Sequence, residues 1–158
     1  MEIKENKIVI DRAKIGFEMS FDDIRDQLKS KFAFPISLDA DGFGIFQIKR
    51  QECYGLKGKC SLVFSKGRLS EVCVILDWRM YRREKKTTLH GLSVAQAVKQ
   101  IYENNTNELL KHFKLISETE KGKVFAEGPM TIKTGVDKDE SSCVLSIVQA
   151  KDRCEDPT

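Results

Sequence analysis

Two histidines, His90 and His112, are the chain's whole supply of imidazole, so a His-activated nucleophile or a His-rich metal centre would have to be built from that pair. His90 lies between "KTTL" and a helix-capping serine, and His112 just ahead of a strand-like run. Both read as hydrogen-bonded or solvent-facing side chains. The five cysteines, Cys53, Cys60, Cys73, Cys143 and Cys154, form an odd set without CxxC pairing, and several sit inside apolar runs. That usage fits reduced thiols in a cytoplasmic protein, unless an export signal has been trimmed away. Cys53 and Cys60 could meet across a hairpin, but they lack the turn-like ligand spacing of a zinc site.

The carboxylates are equally unspecific. Glu18, Asp22, Asp23 and Asp26 gather at the start of an expected helix, where the positive end of the helix dipole explains them. Asp39, Asp41 and Gly42 in "LDADGFG" match part of a calcium loop, but the later Glu and the full ligand series are missing, so a turn is expected. No GxGxxG, Walker-type loop or GxSxG elbow occurs. The chain therefore reads as non-catalytic, with no cofactor and no metal.

One segment breaks the even mixing of charge. In "WRMYRREKK" (78–86), Arg79, Arg82, Arg83, Lys85 and Lys86 flank Trp78 and Tyr81. Cations interleaved with aromatics can contact phosphates and stack on bases. The apolar alternation of Val72, Val74, Leu76, Trp78 and Met80 predicts instead a long strand that sends Trp78 inward, leaves Arg79 and Tyr81 on the other side, and ends in a basic linker. Arg79, Tyr81, Arg82, Arg83, Lys85 and Lys86 are the candidate partner-binding residues.

The elements that must position these residues show an internal likeness. "SFDDIRDQL" (20–28) and "SVAQAVKQI" (93–101) each open on a Ser N-cap with Asp23 or Gln96 three residues on, a capping box or its shorter variant. Phe21, Ile24, Leu28 and Phe32, and then Val94, Ala97, Val98, Ile101 and Tyr102, recur with helical period. Strand-length runs follow each helix: 43–49, 58–64 and 68–81 after the first, and 113–118, 123–134 and 143–150 after the second. A common offset brings Phe43 onto Phe113, Gly58 onto Gly128 and Cys73 onto Cys143, although the helices need a slightly larger one. Gly67 and Gly122 are placed to close hairpins with positive φ. "KIVID" (7–11) reads as a further strand on a sheet edge.

The expected fold class is α+β, with two related helix-plus-three-stranded antiparallel units packed in tandem and the helices on one face of the sheet. Within a single globule of 158 residues, 1–81 would be the first unit with its N-terminal strand, 82–91 a basic linker, 92–150 the second unit and 151–158 a flexible tail. A chain of this length can bury a real core without disulfides. Its 41% apolar and 32% charged composition is that of a water-soluble globule, no run is long enough for a membrane span, and the net charge of +3 is too small for a chain-wide field toward nucleic acid.

The stretch "AKIGFEMSFDDIRDQL" (13–28), with its strand-like lead, Gly, Ser cap and amphipathic helix feeding antiparallel strands, resembles the repeat unit of beta-lactamase inhibitory protein and related outer-membrane assembly lipoproteins. The chain departs from that pattern after the helix, where "KSKFAFPISLDADGFG" carries Pro35 and a delayed Gly42. The resemblance implies a bacterial protein that grips another protein on an exposed sheet, and it carries over no functional residue. The expected function is thus non-catalytic macromolecule binding, with another protein as partner. Small-molecule binding or catalysis in a pocket between helix and sheet, and nucleic-acid binding through 78–86, are the alternatives.

Overall fold

The computed structural model describes residues 1–28, 37–82, 89 and 91–150. Three short strands, β1 (Glu2–Lys4), β2 (Lys7–Ile10) and β3 (Ala13–Ile15), open the chain as a small antiparallel sheet. Their connections are two-residue turns, Glu5–Asn6 and Asp11–Arg12, with positive φ at both positions. Such turns match the right-handed twist of the strands they join. Helix α1 (Phe21–Leu28) follows, its first turn capped by Ser20 Oγ, which accepts from the Asp23 amide at 3.2 Å.

A meander of long strands comes next: β4 (Gly44–Cys53), β5 (Leu56–Ser65) and β6 (Arg68–Leu76), joined by positive-φ turns at Tyr54–Gly55 and Lys66–Gly67. After a five-residue helix, α2 (Trp78–Arg82), the long helix α3 (Val94–His112) begins at Ser93 with the expected capping box, each side chain bonding the other residue's backbone. A second meander closes the chain: β7 (Lys114–Thr119), β8 (Gly122–Glu127), β9 (Met130–Val136) and β10 (Cys143–Gln149).

The two meanders form one seven-stranded antiparallel sheet of order β4-β5-β6-β10-β9-β8-β7, zipped together where β6 pairs with β10. Ile8, Ile10 and Ile15 of the small sheet, Ile24 and Leu28 of α1, and Val98, Ile101 and Leu109 of α3 all join one core cluster. Against them the large sheet sets Cys60, Leu62 and Phe64, Val72 and Val74, and Leu145 and Ile147. Strict alternation in β5 and β10 gives each strand one buried row and one open row.

The expected pair of tandem helix-plus-three-stranded units is not what forms. The first meander has three strands and the second four, and their helices differ in length and in packing. Phe21 of the eight-residue α1 packs against Phe46 and Phe64, while the nineteen-residue α3 lies over β5, β9 and β10. The extra strand comes from "KVFAEGPMTIKT", where Gly128 (φ +51) and Pro129 make a turn that splits the run into β8 and β9. The strand at 7–11 belongs to the separate small sheet and not to an edge of the large one. Gly122 does not supply a positive φ. It lies within β8, where an added Cβ would meet the Thr134 carbonyl oxygen at 2.8 Å.

The strand expected to run through Tyr81 stops at Leu76. Asp77 turns the chain there: its Oδ1 accepts from the Arg79 amide at 3.0 Å and its carbonyl accepts from the Met80 amide at 3.0 Å, which starts α2. Phe32, the expected linker beyond Arg82 apart from Leu89 and Gly91, and the tail 151–158 lie outside the described residues.

Candidate functional site

Strand pairing sorts the side chains of the large sheet into two faces. Opposite the core, Ile45 aligns with Val63, Glu71 and Val148, Lys59 with Ile75 and Val144, and Gln47 with Ser61, Cys73, Ser146 and Lys133. Among the described residues no helix covers this face. Ile45 is 60% exposed and Ile75 42%. Near its centre the Ser146 hydroxyl donates to Glu71 Oε1 at 2.6 Å.

At one end the open face runs into a groove of about 750 Å³ between β4, β5 and α2. Lys49, Arg50, Lys57, Lys59 and Arg79 line it, with Glu52 as its one carboxylate among the described residues. Lys57 and Lys59 share the open row of β5, one on each side of the buried Gly58. A β-bulge between Ile48 and Gln51 takes Lys49 and Arg50 out of the ladder. Asp77, only 6% exposed, anchors the wall from beneath by receiving the Arg50 guanidinium on Oδ2 and the Arg79 amide on Oδ1. The hydrogen bond from Arg50 holds the Asp77 carboxyl below its ordinary range.

Of the residues singled out in the sequence, Arg79 lines this groove. Tyr81 instead braces the fold. Its hydroxyl accepts from the Lys57 amide at 3.0 Å and donates to the Gly55 carbonyl at 3.4 Å, and the Lys57 ammonium stands 5.6 Å from its ring centre. Arg82 closes α2, with its side chain outside the described residues, as are Arg83, Lys85 and Lys86. The alternation in "LKGKC" is the signal that could have placed Lys57 and Lys59 together. Nothing local in "QIKR" announces that Lys49 and Arg50 join them.

The other chemistry-bearing residues do not converge. His90 lies outside the described residues, and His112 packs its ring 5.5 Å from that of Tyr54. Asp39 Oδ1 accepts from the amides of Asp41 and Phe43 at 2.9 and 2.8 Å, the expected turn. Cys53, Cys60, Cys73 and Cys143 are free thiols, and burial pushes Cys53 and Cys60 up to about 12, which leaves them inert. Among the described residues no group of three His, Cys, Asp or Glu side chains could hold a metal ion, and no helix is long and apolar enough to cross a membrane.

A second concavity, about 630 Å³, lies between α3 and the β7–β8 hairpin. Tyr102 lines it, its hydroxyl buried without a hydrogen-bond partner among the described residues. Lys123, with a side chain only 20% exposed, pairs there with Glu118 at 3.3 Å. The chain matches no family model, no curated protein and no solved structure.

Proposed function

We propose that the chain is a non-catalytic binding protein that holds another protein on the open face of its large sheet. The observation that carries this is the character of that face. An antiparallel sheet with one solvated side ordinarily alternates apolar inward with polar outward. Here the outward rows include Ile45, Val63, Ile75, Val144 and Val148, interspersed with Gln47, Ser61, Ser146 and Lys133. Apolar side chains in the two rows that flank a polar central row, on a rigid scaffold, suit protein association.

The test is retention from lysate of the source cells by the tagged chain and by its Ile45→Gln/Ile75→Gln variant, with mass spectrometry of what is held. A protein held by the wild type and lost from the folded variant supports the proposal. Equal retention by both chains places binding elsewhere.

The groove between α3 and the hairpin favours a second reading, uptake of a small molecule. The unpartnered Tyr102 hydroxyl beside the Glu118–Lys123 pair is the kind of buried polar group that a ligand could satisfy. A metabolite that protects the protein against heat, with the effect lost in Tyr102→Phe, would establish it.

A further inference from the structure

We infer that the basic groove of β4, β5 and α2 receives an acidic, extended stretch of the partner protein held on the open face, an inference that rests on the reading of that face as the binding surface. Among the described residues five cationic side chains from three elements line the groove with one carboxylate, Glu52, while Asp77 beneath the wall engages Arg50. Like charges held together repel, and a polyanionic segment would relieve them while steering its own approach. Lys57 and Lys59 project on one face of β5 at the two-residue strand repeat of about 7 Å, which is also the spacing of alternate carboxylates along an extended peptide. Lys59 stands in the same cross-strand row as Ile75 and Val144, so a chain crossing the apolar rows enters the groove without turning.

The lining chooses between classes of polyanion. Single-stranded nucleic acid is held by aromatic platforms as well as by charge. Among the described residues no aromatic side chain lines this groove, and Tyr81 beneath it is tied by both hydrogen bonds of its hydroxyl. Lysines outnumber arginines, and Arg50 is already engaged by Asp77. Lys49 and Arg79 carry no side-chain ion pair among the described residues and are the groups free to meet carboxylates, while Lys59 also stands within the field of Asp77.

The experiment uses fluorescein-labelled decaglutamate as probe, with a decanucleotide single strand and inorganic phosphate as comparators, on the full chain. The wild type is expected to bind the peptide, with affinity falling about tenfold or more between low and high salt. Lys49→Glu/Lys59→Glu/Arg79→Glu should lose about tenfold or more. Far-UV circular dichroism confirms folding, and the single Lys59→Glu variant serves if the triple variant fails to fold. Absence of peptide binding, indifference to charge reversal, or tighter binding of the nucleotide strand would overturn the inference. The lysate retention of Ile45→Gln/Ile75→Gln reports on the face and decaglutamate binding by the wild type reports on the groove, in separate assays. Failure of the groove alone, with a partner still held on the open face, is therefore distinguishable from failure of the face.

Discussion

Thr134 Oγ1 donates to Asn105 Oδ1 at 2.7 Å in the interior, tying the middle of α3 to the buried row of β9. Asn105 is completely buried, and its Nδ2 donates in turn to the Cys53 and Tyr54 carbonyls at 3.3 and 2.8 Å. One amide thereby joins the long helix, the second meander and the end of the first. Buried polar groups of this kind are stable only while every partner is present.

Asn105→Ala should cost about 3 kcal/mol, because it leaves two carbonyls and a hydroxyl unsatisfied, and Thr134→Val about 1–2 kcal/mol. In urea denaturation the double variant should lose less than the sum of the two single losses. Strict additivity would mean that the two residues do not act together.

Gly58 marks a close approach of β5 and β6. A Cβ there would collide with the Ile75 carbonyl oxygen, which is backbone and cannot swing away. Gly58→Ala should therefore cost about 3 kcal/mol or more. Gly67→Ala, at φ +78 with nothing within 4 Å, should cost only about 1 kcal/mol through its backbone conformation. Comparison of the two thermal midpoints checks the ordering.

Much of this architecture is legible in the chain. Alternation locates the strands around Cys60, Leu62 and Phe64, and the Ser93 cap and the Gly67 turn stand in their expected places. Pattern misleads about the fold class at two points. "EGPM" reads as strand interior within a longer apolar run, although Gly128–Pro129 is itself a turn signal and supplies the seventh strand. At Asp77 the apolar alternation continues into Trp78 and Met80, but the side-chain cap on the Arg79 amide overrides it. Of the groove's cations the sequence reading singles out Arg79, and the alternation in "LKGKC" also puts Lys57 and Lys59 on one face. Lys49 and Arg50 are displaced by a bulge, and pairing register decides where the cations meet.

Asp77 gives the fold an acid dependence whose sign is fixed. Its carboxyl is held below the ordinary 3.8 mainly by the hydrogen bond from Arg50, so its contribution is present above that value and is lost as pH falls through the lowered pKa. Asp77→Asn should flatten the decline in thermal midpoint below about pH 4. It should also loosen the Arg50 wall of the groove. An unchanged acid limb would mean that other carboxylates dominate it.

The open face carries its own reporter. Cys73 lies in the central open row between Ser61 and Ser146, half-buried, whereas Cys53, Cys60 and Cys143 are completely buried. Alkylation with iodoacetamide, followed by per-cysteine mass spectrometry, should modify Cys73 in the free chain and leave those three untouched until unfolding. In a complex recovered from lysate, Cys73 modification should slow severalfold while the three core thiols remain silent. Alkylation of Cys73 at the same rate with and without the bound protein would contradict binding on this face.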